Sequence, residues 1–82
     1  MAKKTRAARL HEGAVEPLEQ AICVIEELRG ELESWLENMP ENLQESSKAE
    51  ELQYAIDSLT EAQDNIELAV MDCENTEFPG MF

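Results

Sequence analysis

Histidine, cysteine, glycine and cationic residues are scarce in this chain, and each shortage closes a class of chemistry. Among 82 residues there are one His, two Cys, three Gly and six Lys or Arg. A lone imidazole, His11, with nothing to position it beside Cys23 or Cys73, leaves no base for an activated nucleophile. Two separate cysteines and one histidine do not make a metal-ligand set, and they suit reduced thiols better than a disulfide framework. No glycine-rich loop is present to cradle phosphate. No loop alternates oxygen ligands around a central glycine as a calcium-binding EF-hand does. No apolar run approaches the roughly 18 residues of a membrane span, and the basic start has no apolar core of the signal-peptide kind. The expectation is a cytoplasmic protein that is not an enzyme, with no cofactor and no metal.

What the chain has in quantity is acid. Nineteen Asp and Glu against six Lys and Arg give a net charge of −13, unevenly placed. Residues 1–12 carry Lys3, Lys4, Arg6 and Arg9 against Glu12 alone, so the remaining 18 acids face only Arg29 and Lys48. Such a field repels nucleic acid from the body and attracts basic surfaces. The ordinary meaning of a charge run is a solvated helix face. The basic arm is too small for tight nucleic-acid binding and fits a solubilising or dimer-contacting role better.

Two stretches have the periodicity of long amphipathic helices. With Leu52 at heptad position a, the a positions of the second are Leu52, Leu59, Ile66 and Cys73, and every d position is alanine: Ala55, Ala62 and Ala69. Ile56 and Val70 fall at e, and Gln63 interrupts that stripe. In the first stretch Leu18, Ile25, Leu32 and Met39 stand at a, with Ala14, Ala21, Leu28 and Trp35 at d. Folding the chain back near residue 43 sets large residues of one helix against small ones of the other. Leu32 faces Ala55, Ile25 faces Ala62 and Leu18 faces Ala69, a pattern that fills a close seam without voids. The predicted fold is all-α: an antiparallel helical hairpin, coiled-coil-like with an Ala-rich seam.

Local signals set the boundaries. Thr5 can cap a short helix through Leu10. Pro17 is either the first residue of the main helix or a kink within a continuous one, its ring opposing the carbonyl of Gly13. The a/d phase running on through Ala14 and Ala7 favours the kinked continuous helix. Met39-Pro40 ends the first helix. Pro40-Glu41-Asn42-Leu43-Gln44 forms a tight turn, with Leu43 covering the end. Ser47 and Glu50 read as a capping box, and Asn75 as the C-cap of the second helix. The organisation expected is a basic arm (1–12), a hairpin (13–74, helices about 14–39 and 47–73) and a tail (75–82).

Two helices cannot enclose a core alone. Val15, Ile22, Leu36, Ile56 and Val70 at e, with Val24, Tyr54, Leu68 and Met71 further round, leave apolar surface outside an a/d seam. The self-association set is therefore Ile22, Leu36, Tyr54, Ile56, Leu68 and Val70, most simply forming a homodimeric four-helix bundle. The alternative is a monomer with exposed apolar residues. Acids recurring at helical spacing also suggest imitation of a nucleic-acid duplex. The partner-binding candidates on that reading are Glu26, Glu33, Asp57, Glu61 and Asp64. The tail, with Asp72, Glu74 and Glu77 ahead of Phe78-Pro79 and a terminal Phe82, is similar to the tips through which bacterial single-stranded-DNA-binding proteins recruit partners. Its other use is to pack Phe78 and Phe82 onto the helix ends.

The stretch Asn38-Met39-Pro40-Glu41-Asn42-Leu43-Gln44-Glu45-Ser46, the AIDSLTEAQDNIELAV helix and the Phe-Pro-Gly ending resemble small acidic proteins of tailed bacteriophages. The likeness extends to the basic start, Lys3-Lys4-Thr5-Arg6-Ala7-Ala8. Its most specific part is the Pro-Glu-Asn-Leu-Gln turn. The resemblance implies a phage source and a protein partner in the bacterial host or the phage. It brings no functional residues with it.

Overall fold

A computed structural model describes residues 4–43 and 46–79. Helix is the only regular secondary structure among the described residues: α1 (Arg6–Leu10), a π-helical turn (His11–Val15), α2 (Glu16–Glu37), a 3-10 turn (Glu41–Leu43) and α3 (Ser47–Glu74). The molecule is a thin ribbon with Cα extents of 65 × 21 × 13 Å. Its radius of gyration is 18.9 Å, against about 12 Å for a compact chain of this length.

Thr5 caps α1, its hydroxyl accepting from the Ala8 N–H at 3.0 Å. From Arg6 the helix continues without a break to Glu37, so it starts well before residue 14 and ends two residues before Met39. Pro17 is accommodated by the π-turn rather than by an abrupt kink. Proline has no N–H for the Gly13 carbonyl, and its ring would strike that oxygen in an α-helix. The chain widens instead, and the Glu16 N–H reaches back five residues to the His11 carbonyl. One extra residue in the turn shifts the helical phase by roughly 100°. Leu10 accordingly turns partly inward, while His11 and Ala7 are exposed. The a/d phase does not continue through Ala7.

Asn38 closes α2, its N–H donating to the carbonyls of Ser34 and Leu36. The Leu43 N–H donates to Pro40 O at 2.8 Å and the Ser46 N–H to Leu43 O at 3.0 Å, making the turn compact. Leu43 itself is exposed and does not cover the end. The cap of α3 is Ser46, not Ser47: its Oγ accepts from the Ala49 N–H at 3.4 Å and donates to Leu43 O at 2.5 Å. The turn delivers Ser46 in extended conformation at the helix start, whereas Ser47 is already helical, so the Ser47–Glu50 box does not form. Asn75 caps the far end, as its position suggested. Gln44, Glu45 and Phe82 lie outside the described residues.

Contacts between the two long helices run in opposite order along them. The Lys48 ammonium lies over the Trp35 ring, 5.9 Å from its centroid. Arg29 Nη1 donates to Thr60 Oγ1 at 3.5 Å, and Gln63 Nε2 donates to Glu26 Oε1 at 3.3 Å. Val15 and Cys73 line one cleft at the far end. Near the turn, Met39, Ala49 and Leu52 form a small buried cluster with Leu32 and Leu36 packed on it.

The buried stripe is not the Ala-rich a/d seam. Ala49, Ile56, Gln63 and Val70, all at e, are buried together with Leu52 at a. On the first helix Val15 is buried, with Leu18, Ile22, Ile25, Leu32 and Leu36 half-buried. Leu28 and Trp35, both at d, are 46% and 52% exposed. Transfer energy favours the rotation on α3. Turning e inward there buries Ile56 and Val70 where d would bury Ala55 and Ala69, a gain of about 1–2 kcal/mol per site. The alanines flank the contact, half-buried.

Candidate functional site

The side chains that join the helices also sort the ribbon's surface into two broad faces. On one, Gln63 Nε2 donates to Glu26 and, at 3.0 Å, to Glu67. Arg29 Nε lies 3.4 Å from Glu33, and its guanidinium also reaches Thr60. Glu26 and Glu33 are seven residues apart on α2, as are Thr60 and Glu67 on α3, so these stripes run side by side along an acidic face.

Trp35 and Lys48 belong to the other face. Ala14, Ala21 and Leu28 precede Trp35 at seven-residue steps, and Ala55, Ala62 and Ala69 follow Lys48 at the same step. The cation–π contact therefore ties both d stripes to one surface. The positions beside them on this face are Val24 and Glu31 on α2 and Ser58 and Asn65 on α3. From Ala21 to Leu28 and from Ala55 to Ala69 it carries no charge.

The five acidic candidates do not form a single row. Glu26 and Glu33 stand on the acidic face, each engaged within the chain. Asp57 and Asp64 lie seven apart toward the outer edge of α3, where Asp57 accepts from Gln53 Nε2 at 3.0 Å. Glu61 falls on the outward ridge of α3, between Tyr54 and Leu68. All five carboxylates are on exposed residues.

The self-association set divides differently. Ile56 and Val70 are 7% and 9% exposed in the single chain, and Ile22 and Leu36 are half-buried. Packing between the helices has consumed them, because the seam is centred on e. Tyr54 and Leu68 remain well exposed, 74% and 57%, on the outward ridge. Sequence reasoning missed the open face of Leu28, Trp35 and the alanines. A signal for it was present on α3, where Ile56 and Val70 at e outweigh the alanines at d.

At the far end, Ala7, Leu10, His11, Val15, Cys73, Glu74, Thr76 and Phe78 line a cleft of about 260 Å³. His11 and Cys73, separate in the sequence reading, thus share one site. His11 Nε2 lies 3.7 Å from Glu16 Oε1, and Lys4 pairs with Glu12. No hydrogen bond joins the Cys73 thiol to the imidazole among the described residues. Phe78 also borders a shallow groove with Arg6, Arg9 and Leu10, so the tail lies back across the basic first turn. Among the described residues, no cluster of His, Cys, Asp and Glu is arranged to hold a metal ion, and no helix is long and apolar enough to cross a membrane.

Comparison with protein-family models, with curated proteins and with solved structures finds no match to this chain.

Proposed function

We propose that the chain is a non-enzymatic interaction protein of phage type. It folds as an antiparallel helical hairpin and pairs with a second copy as a four-helix bundle. Its acidic face then holds a basic protein of the bacterial host or the phage, in place of a nucleic acid. The observation that carries this reading is the density and placement of charge. A net −13 spread over 65 Å is one charge per 5 Å, about a third of the linear density of a duplex at one per ~1.7 Å and two thirds of a single strand's at one per ~3.4 Å. The carboxylates ride on two helices joined to each other through Gln63 and Arg29, which supports a fixed spacing between them.

The alternative is a structural or assembly protein whose apolar surface serves self-association alone. The exposed side chains of Leu28 and Trp35 favour including it. Salt and charge reversal separate the two. In affinity capture from nuclease-treated bacterial lysate, a mimic holds a nucleic-acid-binding protein at low salt and releases it to duplex DNA or to high salt. Reversing Glu26, Glu33, Asp57 and Glu61 to Lys abolishes that capture while leaving the oligomer intact. Undiminished capture by the reversed protein would sink the mimic.

A further inference from the structure

The chain leaves too much surface open for its mass. It exposes 6581 Å² at 9.3 kDa, whereas a compact monomer of that mass exposes about 5,000 Å². The excess is roughly twice the ~800 Å² that a standard interface takes from each partner. No side chain is less than 2% exposed among the described residues, so the core is unfinished. With a net charge of −13, two copies repel each other over most of their surface. The least repulsive approach is the broad face that is uncharged between Ala21 and Leu28 and between Ala55 and Ala69.

We infer that this face, built from Leu28, Trp35, Ala55, Ala62 and Ala69, is where a second copy docks. The inference rests on the dimer proposed above and names its surface, which differs from the residues the sequence suggested. The face is complementary to itself. Arg29 pairs with Thr60 and Glu26 with Gln63 across the chain, so Leu28 is level with Ala62 and Trp35 with Ala55 to within one residue. A two-fold axis along the ribbon lays α2 of one copy on α3 of the other. Leu28 then sits on Ala62 of the second copy and Trp35 on its Ala55. Each level matches a large side chain with a small one, which lets the backbones approach and fills the gap between them. The Ala-rich heptad is thus the seam between chains, and the a/e stripe is the seam within one.

The test uses the full chain and its single tryptophan. Sedimentation velocity gives the mass while Trp35 fluorescence is followed over protein concentration. The expected result is a dimer whose emission moves to shorter wavelength, and whose quenching by acrylamide falls several-fold, as dimer forms. Leu28→Glu and Ala62→Glu, each placing an unpaired charge in the interface, weaken the dimer by ~100-fold or more with helical circular dichroism retained. Tyr54→Glu and Leu68→Glu, on the outward ridge, leave it unchanged. A wild-type dimer broken by the ridge variants and not by the face variants overturns the inference while the proposed dimer stands. So does a dimer whose Trp35 emission does not respond to concentration. A wild-type monomer at 100-micromolar order overturns both.

Discussion

Gln63 offers the sharpest test of how the two helices are held. It is 9% exposed in an otherwise apolar stripe, between Ile56 and Val70. Its Nε2 donates to Glu26 and Glu67, which turns Oε1 into the seam, where that oxygen is buried with no hydrogen-bond partner. Replacing it by leucine has three effects of known sign. Loss of two hydrogen bonds to exposed carboxylates costs about 1–2 kcal/mol together. Removing the orphaned oxygen returns about 1–2 kcal/mol. Burying an apolar side chain of similar volume adds about 2 kcal/mol. The net expectation for Gln63→Leu is stabilisation by about 1–3 kcal/mol. At about 4–8 °C per kcal/mol, Tm rises by roughly 4–24 °C. Thermal and urea unfolding followed by circular dichroism measures this, at one fixed protein concentration because the proposed dimer would make stability concentration-dependent. A loss of stability in Gln63→Leu would refute the reasoning: the amide would then contribute more than the seam loses by containing it. Gln63→Glu is the opposing control. It sets a third carboxylate beside Glu26 and Glu67 in the seam, at a cost of about 3 kcal/mol or more at neutral pH. Burial and like charge raise that carboxyl's folded-state pKa. The destabilisation relative to wild type is then absent below about pH 4, where the group is protonated in both states, and grows as pH rises toward 7.

Other expectations are simpler. Gly30 is exposed within α2, and a Cβ added there meets nothing within 4 Å. Gly30→Ala should therefore stabilise by about 1 kcal/mol in the same unfolding assay. Ser46→Ala should cost about 1 kcal/mol because Ser46 is the cap of α3, while Ser47→Ala changes stability by less than about 0.5 kcal/mol. A larger loss in Ser47→Ala than in Ser46→Ala would return the cap to Ser47. Raising NaCl from about 10 to about 150 mM shortens the Debye length from about 30 to about 8 Å. Tm should rise across that range, because a net charge of −13 repels itself. A falling Tm would mean that the few ion pairs, such as Arg29 with Glu33, outweigh the repulsion.

The helices themselves were legible in the chain because their signals are local. Apolar residues recur at helical spacing, Thr5 and Asn75 sit where caps are needed, and Met39-Pro40 stops the first helix. The concentration of acid and the shortage of catalytic or metal-binding residues are also properties of composition. Only tertiary structure decided which part of each apolar stripe turns inward. Positions a, d and e together make an arc wider than one partner helix can cover, so the periodicity fits an a/d seam and an a/e seam alike. On α3 the inward positions go to Ile56 and Val70, which bury more than the alanines beside them. That rotation exposes Leu28 and Trp35, hides Gln63, and brings His11 and Cys73 to one cleft. Pro17 follows the same logic at smaller scale. Its missing N–H was evident from the sequence, but whether the helix breaks, kinks or widens depends on packing at both ends of the turn. The surfaces open to a partner are residues of that packing choice, and no local signal records them.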